Sequence, residues 1–185
     1  MNRRQRATQD LTLIAISVAF ITVCSYISVP FLSGVSFTLQ LFAVFLVAAL
    51  LSPRQSIMSI LVYTTLGLIG VPVFAGFRGG ISVLFGATGG YLIGFIIATL
   101  IISLSVKFFG NRKSVTALSM LLSLLVCYTA GVLWFLAVSR ASDSSAGLSA
   151  ALWACVIPFI LPDLAKLLLA SYLSARLENL LRKEK

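Results

Sequence analysis

Long apolar segments with very few charged residues dominate this sequence and restrict what it can fold into. Apolar residues make up 59% of the 185 residues and charged residues 10%, whereas a soluble domain carries about 25% charged residues. So few polar side chains cannot cover a water-facing surface. We therefore expect an all-α integral membrane protein, because helices satisfy their backbone polar groups within the bilayer.

The apolar segments predict a single transmembrane domain over residues 1–185, built as a bundle of six helices of roughly 20 residues each. The six segments are 11–29, 37–51, 55–68, 91–109, 115–138 and the segment from 162 to the charged tail 176–185. The apolar segment 148–161 is too short to cross and is expected to form an interfacial or partly buried helix. The first segment is too long for a signal-peptide core and no cleavage site follows it, so we expect it to be retained.

The basic residues are distributed unevenly between the two sides of this topology. Of the 14 Lys and Arg, eleven lie near the two ends and in the loops around residues 54 and 107–113, whereas Arg78 and Arg140 lie on the other side. Short loops rich in Lys and Arg stay on the cytoplasmic side. We therefore expect a multi-pass protein of the cell membrane with both termini cytoplasmic, and we attribute the net charge of +9 to orientation, not to nucleic-acid binding.

The residue types that metal sites and most catalytic sites need are scarce. The sequence has no His, and its three Cys are isolated in apolar segments without a CxxC spacing. No acidic cluster or nucleophile–base pair is evident, so we expect no catalytic residues, no metal site and no cofactor. The glycine-rich stretch lacks GxxxxGK[ST] and a preceding strand, which argues against a nucleotide site.

Asp163 and Lys166 lie inside the last apolar segment. A charged residue costs roughly 2.5–3.5 kcal/mol at the centre of a spanning helix on insertion scales. Residues at i and i+3 share one helix face, so the two charges can compensate each other. Intramembrane charges by default mark a functional site that faces the protein interior. We predict such a site here, with an ion pair that only fixes helix packing as the alternative.

The region 70–90 combines many glycines with large apolar side chains, a composition unlike that of a solvated linker. In the predicted topology it connects the third and fourth helices on the outer side. Irregular backbone in the membrane is tolerated only where protein covers it or where it lines a cavity. We predict a loop that dips into the mouth of the bundle and forms the lid or wall of a pocket; the alternative is a structural re-entrant loop without a ligand. The candidate residues from this loop and the following helix start are Val73, Phe74, Arg78, Phe85 and Tyr91.

Gln40 lies near the outer start of the second predicted helix, close to the same mouth. Its amide offers both a donor and an acceptor at the depth where a ligand would bind. The same amide could instead satisfy backbone groups or a neighbouring helix.

Ala15 and Ala19 form a small-xxx-small pattern in the first predicted helix. Such a pattern lets another helix approach closely in lipid. Docking of a partner protein and packing within the chain are equally compatible with it.

These segments together resemble the BioY family, the biotin-specific substrate-binding subunits (S-components) of energy-coupling factor transporters. The most specific part is the stretch 70–95, with Pro-Val-Phe-Ala-Gly and Arg-Gly-Gly followed by Thr-Gly-Gly-Tyr-Leu-Ile-Gly-Phe. Thr38-Leu39-Gln40 and Pro158-Phe159-Ile160, followed by Asp163 and Lys166, also match. The resemblance runs over nearly the whole chain.

The pattern at Ala15 and Ala19 resembles the S-component motif that docks onto the transmembrane coupling subunit. One departure is visible in the last helix: the family pattern has Pro-Gly before the aspartate, whereas this chain has Leu161-Pro162. The acidic and basic residues are in place, and the local backbone at the helix start is the part that differs.

The resemblance implies a six-helix bundle that binds biotin from outside and reorients to deliver it. It implies as partners a membrane coupling (T) subunit and two cytoplasmic ATPases. The chain has no ATP-binding motif of its own, so the energy for transport must come from those partners or from an ion gradient. Biotin joins a carboxylate, an apolar chain with a thioether ring, and a ureido group with two N–H donors and a carbonyl. We expect Arg78 to pair with the carboxylate, Asp163 to accept from a ureido N–H and Lys166 to donate to the ureido carbonyl. The opposite orientation, with the carboxylate on Lys166, stays open. The apolar wall is expected from Phe74, Phe85 and Tyr91.

Two hypotheses from other functional classes compete with the biotin-binding subunit. A proton-coupled secondary transporter of a small anionic solute would use Asp163 as its titrating group. A non-transporting membrane scaffold would use the Ala15–Ala19 pattern and the basic tail to bind partners. Failure to bind any small molecule would favour the scaffold.

Overall fold

The computed structural model describes residues 2–29, 36–141 and 147–183. In these ranges the chain is helical apart from two short strands and the connecting segments. The helices are α1 (Arg3–Tyr26), α2 (Gln40–Leu50), α3 (Pro53–Leu68), α4 (Gly89–Phe109), α5 (Lys113–Ala141), α6 (Leu148–Cys155) and α7 (Ile160–Lys183). Strands β1 (Ser28–Val29) and β2 (Phe37–Thr38) pair antiparallel, and 3-10 turns cover Ile81–Val83 and Ile157–Phe159. The predicted all-α class is confirmed.

Four helical segments of the described ranges are long and apolar enough to cross a membrane: α1, α4, α5 and the run Leu148–Glu178. Helix α2 is apolar but has 11 residues, and α3 has 16. The structure therefore supports a helical membrane protein, while the predicted count of six crossings stays a prediction.

The helix boundaries differ from those predicted because polar residues extend several helices beyond their apolar segments. Helix α1 begins at Arg3, eight residues before the predicted start, behind a capping box in which the Asn2 and Gln5 side chains satisfy backbone N–H groups. A second capping box, with Ser52 and Gln55, begins α3. The second predicted helix was too long at its start, since residues 37–38 belong to β2.

The apolar segment 148–161 divides into α6, a 3-10 turn and the first residues of α7. Pro158 lies in the turn and cannot donate a helical hydrogen bond. Ala151 and Cys155 are fully buried. Helix α6 is thus a short, partly buried helix, one of the two forms expected for this segment, and the break that follows it fixes where α7 begins.

Helices α4 and α5 pack closely because glycines remove side chains from their interface. A Cβ on Gly90 would lie 2.4 Å from the carbonyl oxygen of Ala130, and one on Gly94 would lie 3.0 Å from the Cα of Cys127. Small residues allow this approach in membranes, where packing drives helix association. The close contact holds the middle of α5 against the start of α4.

The 70–88 loop is tied to three helices at one end of the bundle. The hydroxyl of Ser25 in α1 donates to the carbonyl oxygen of Val73 at 2.6 Å, and the hydroxyl of Tyr63 in α3 donates to the same oxygen at 3.0 Å. The indole N–H of Trp134 in α5 donates to the carbonyl oxygen of Gly86 at 3.1 Å. These anchors bring the loop over the open end of the bundle, where the β1–β2 hairpin and the start of α7 also lie.

Candidate ligand-binding site

An open pocket lies where the 70–88 loop meets α2, α4, α5 and α7. The space inside it, together with its open mouth, amounts to about 720 Å³. Six residues predicted from the sequence line it: Gln40, Phe74, Arg78, Tyr91, Asp163 and Lys166. The other lining residues are Ser36, Thr38, Leu41, Ala75, Val83, Thr88, Leu92, Phe95, Leu124, Cys127, Tyr128 and Phe159.

Asp163 and Lys166 form a buried ion pair in the first turns of α7. The ammonium Nζ of Lys166 donates to Oδ1 of Asp163 at 2.7 Å, and the two side chains are 7% and 8% exposed, respectively. The break before Ile160 begins α7 inside the pocket, so that both side chains project into it. A buried pair of this kind is costly to desolvate and is weak evidence for stability by itself.

Each member of the pair has a further contact from another element. The Tyr128 hydroxyl, from α5, donates to Oδ2 of Asp163 at 2.9 Å. The Nζ of Lys166 lies 3.9 Å from the centre of the Phe37 ring in β2, a cation–π geometry. The carboxylate thus has a donor on each oxygen, while the ammonium has donors left over for a ligand.

Gln40, the first residue of α2, is 5% exposed. Its Nε2 is the one buried side-chain nitrogen or oxygen of the described residues with no acceptor in hydrogen-bond geometry, although the Tyr63 hydroxyl lies near the amide. A buried amide donor without a partner costs about 1–3 kcal/mol. Since Gln40 lines the pocket, a ligand acceptor is the partner that its position favours.

A tight turn of the loop carries Phe74 and Arg78 into the pocket wall. The two residues exchange backbone hydrogen bonds, from N of Phe74 to O of Arg78 at 2.9 Å and from N of Arg78 to O of Phe74 at 3.3 Å. Gly76 and Phe77 within the turn have positive φ values of 71° and 57°. The Nε of Arg78 donates to the carbonyl oxygen of Ala75 at 3.1 Å, and the residue is exposed. The guanidinium therefore lies at the mouth, outside the buried part of the pocket.

Val73 and Phe85 are not part of the pocket lining, contrary to the expectation from the sequence. Val73 is 6% exposed, with its side chain in the core and its carbonyl oxygen holding the loop anchors. Phe85 is 63% exposed, on the outside of the loop. Composition alone could not tell inward from outward side chains in irregular backbone.

Tyr128, Leu92, Phe95 and Cys127 are pocket residues that sequence reasoning did not select as site residues. All four lie within long apolar helices, where pocket and lipid faces look alike in composition. Tyr128 carried the one available signal, a phenolic hydroxyl inside a predicted span. Such a hydroxyl needs a buried partner, which the structure supplies as Asp163.

Ala15 and Ala19 both lie on an exposed face of α1. Neighbouring Ser17 and Val18, by contrast, are buried against the bundle. Packing among the residues that the structure describes therefore does not use the small-xxx-small pattern. Its outer face is open to lipid or to another protein.

Comparison with known proteins gives a consistent result along the whole chain. The profile of the BioY family matches residues 1–183. A probable biotin transporter BioY of Pyrococcus horikoshii is 39% identical over 171 residues, which is 92% of this chain and 97% of that relative. The biotin transporter BioY of Thermotoga maritima is 37% identical over 175 residues, covering 93% and 97%. A crystal structure of the S-component for biotin from an ECF-type ABC transporter superposes with a TM-score of 0.85 at 25% identity, covering 97% of this chain and 95% of that one.

Proposed function

The chain belongs to the BioY family, and on that premise we propose that it is the biotin-binding membrane subunit, or S-component, of an ECF-type vitamin transporter. It binds biotin from the extracellular side and delivers it by reorienting in the membrane. It is not an enzyme. The observation that carries the proposal is the distribution of charge in the pocket.

The described residues that line the pocket carry a net charge of +1, since Asp163 and Lys166 cancel and Arg78 remains. The Asp163–Lys166 ion pair is buried, whereas Arg78 is at the exposed mouth of the pocket. Placing a ligand carboxylate beside the buried pair would add an uncompensated negative charge in a region of low dielectric, which is strongly unfavourable. A monoanion therefore binds with its carboxylate toward Arg78 and a neutral polar group toward the pair.

Biotin has this distribution of groups. Its ureido ring is neutral and offers N–H donors to Asp163 and a carbonyl acceptor to Lys166 or Gln40. Its carboxylate suits the planar guanidinium of Arg78, which can donate two parallel hydrogen bonds. Between the two ends, the rings of Phe74 and Tyr91 give the apolar wall.

We extend the proposal to the topology of the chain. Six crossings, with α2 and α3 as two shorter ones, place the pocket end outside and both termini in the cytoplasm of the cell. Two contacts support this arrangement: Nδ2 of Asn111 donates to the carbonyl oxygen of Ala49, and Nε2 of Gln55 donates to Oδ1 of Asp10. These contacts bring the start of α3, with Arg54, and the α4–α5 turn to the end opposite the pocket. The basic residues then cluster on the cytoplasmic side, as short-loop charges do.

The partners in this proposal are a membrane coupling (T) subunit and two cytoplasmic ATPases, with α1 docking onto the coupling subunit through Ala15 and Ala19. Enlarging both residues to leucine fills the exposed face that a partner helix would need. The doubly substituted protein should still bind biotin but no longer co-purify with a co-expressed coupling module. Leu13→Phe, which adds bulk on another face of α1, is the matched control and should co-purify. Retained assembly of the double variant would place the docking surface elsewhere.

The test of the function itself is isothermal titration of the detergent-purified protein with biotin, with desthiobiotin, thiamine and riboflavin for comparison. We expect a tight one-to-one signal for biotin and none for thiamine or riboflavin. Folded protein that gives no heat with any of these ligands would reject biotin binding and favour the scaffold. Uptake that persists without the ATPases and collapses with an uncoupler would favour the proton-coupled transporter.

A further inference from the structure

The Asp163 carboxylate is held from two directions, and one of them comes from a helix that the ligand-binding motifs do not include. Along α7, Lys166 holds Oδ1 at 2.7 Å. From α5, the hydroxyl of Tyr128 holds Oδ2 at 2.9 Å. Tyr128 is 8% exposed and lines the pocket beside the pair.

The contact with Lys166 cannot fix the carboxylate alone. It joins one oxygen to a long, flexible side chain on the same helix face, which can follow that oxygen as the carboxylate rotates about its Cβ–Cγ bond. A donor on the second oxygen, from a different helix, removes this freedom. Each carboxylate oxygen has two lone-pair positions, so a fixed carboxylate still presents acceptor positions in defined directions.

Tyr128 differs from the other described tyrosines that donate hydrogen bonds. The hydroxyls of Tyr26, Tyr63 and Tyr91 donate to the backbone carbonyl oxygens of Pro72, Val73 and Cys155, respectively, and thereby hold loops and helix ends. The hydroxyl of Tyr128 donates to a pocket side chain instead. Tyr128 follows Cys127, whose backbone lies against Gly94 where α5 packs closely on α4, so the backbone that carries the hydroxyl is held in place.

We propose that Tyr128 is a positioning residue that sets the orientation of the Asp163 carboxylate and thereby makes the site selective for a ligand with a ureido N–H. This inference rests on the proposed function, because it assumes that the ureido ring lies beside the pair. It assigns to Tyr128 a role in ligand discrimination in addition to satisfying a buried charge.

The experiment compares wild type with Tyr128→Phe, which removes one oxygen atom and keeps the ring. Both proteins are titrated with biotin and with biotin methylated at one or the other ureido nitrogen. Because a hydrogen bond to a charged group is involved, we expect biotin binding to weaken about 10-fold or more in Tyr128→Phe. In wild type, one of the two methylations should reduce affinity strongly. In Tyr128→Phe that methylation penalty should shrink at least about threefold, because the carboxylate is no longer held toward the nitrogen.

Tyr63→Phe is the matched control. It also removes a buried tyrosine hydroxyl that donates at about the same distance, but its acceptor is the carbonyl oxygen of Val73, and the hydroxyl lies near the Gln40 amide instead of holding the Asp163 carboxylate. It should lower thermal stability and leave the methylation penalty as in wild type. An equal loss for all ligands in Tyr128→Phe would mean that Tyr128 is structural and would overturn the proposal.

The experiment distinguishes failure of the proposed function from failure of the positioning role. Wild-type protein that binds no biotin refutes the proposed function, whereas wild type that binds biotin but is insensitive to both methylations refutes the positioning role alone. If Tyr128→Phe does not fold, 3-fluorotyrosine incorporated at position 128 replaces it. This residue keeps the shape and donates more strongly, so the methylation penalty should rise; an unchanged penalty would overturn the proposal.

Discussion

Replacing Gln40 by methionine should change stability and ligand affinity in opposite directions. Gln40 is 5% exposed, and its Nε2 has no hydrogen-bond partner within the described residues. Methionine has a similar length and no donor to satisfy. The ligand-free protein should therefore become more stable, whereas the biotin complex loses one hydrogen bond.

The magnitudes follow from the cost of an unpaired buried donor, about 1–3 kcal/mol. Part of this gain is lost because the methionine does not fit the site perfectly, so we expect about 1 kcal/mol of net stabilisation, corresponding to an increase in Tm of about 2–4 °C for a chain of this size. A neutral hydrogen bond contributes about 0.5–1.5 kcal/mol, so biotin affinity should fall about 3- to 10-fold. Thermal unfolding in detergent, followed by tryptophan fluorescence, measures the first quantity and isothermal titration the second.

Gln55→Met is the matched control. The Gln55 amide is satisfied, since Nε2 donates to Oδ1 of Asp10 at 2.6 Å and Oε1 accepts from the backbone N–H of Ser52 at 3.1 Å. It lies at the end of the bundle opposite the pocket, so its replacement should lower the Tm and leave biotin affinity unchanged. If Gln40→Met also lowers the Tm without affecting affinity, Gln40 is a packing residue and the reasoning is refuted.

Substitutions at three further places test the pocket: the Asp163–Lys166 pair, Arg78 and Gly67. Lys166→Met leaves Asp163 as an uncompensated buried charge and should lower the free energy of unfolding by about 3–5 kcal/mol, seen as a lower yield of folded protein. Adding Asp163→Asn should restore the yield but not biotin binding. An undiminished yield for Lys166→Met alone would contradict the buried ion pair. Arg78→Gln should weaken binding of biotin but not of biotinamide, as measured by titration, and an equal loss for both ligands would place the carboxylate elsewhere. In Gly67→Ala the added Cβ would clash with Cζ of Phe74 and displace its ring. The displacement should reduce biotin affinity and lower the free energy of unfolding by about 1–3 kcal/mol. A variant with wild-type affinity and Tm would show that the Phe74 ring does not form the pocket wall.

Several parts of the site could be predicted from residue chemistry alone. Asp163 and Lys166 were identifiable because charge inside an apolar segment is costly and must be compensated nearby. The 70–88 loop was identifiable because apolar side chains among glycines do not suit a solvated linker. Arg78 was identifiable as the one cation in that loop.

Other parts depended on contacts between segments that are far apart in the chain. Val73 and Phe85 looked equivalent to Phe74 in composition, but the loop turns Val73 into the core and Phe85 outward. Tyr128 lies 35 positions before Asp163, and no local pattern links them. The orphaned amide of Gln40 likewise follows only from the positions of all its neighbours.

The sequence by itself determined that this protein is a helical membrane protein in which Asp163 and Lys166 can compensate each other. The reason is that the hydrophobicity of a segment and the free-energy cost of a charge within it act locally and additively along the chain. Tertiary structure decided which side chains share the pocket, since this depends on how α4 and α5 approach through Gly90 and Gly94, and on where the break before Ile160 begins α7. These features arise from packing between distant segments. The composition of either segment alone does not contain that information.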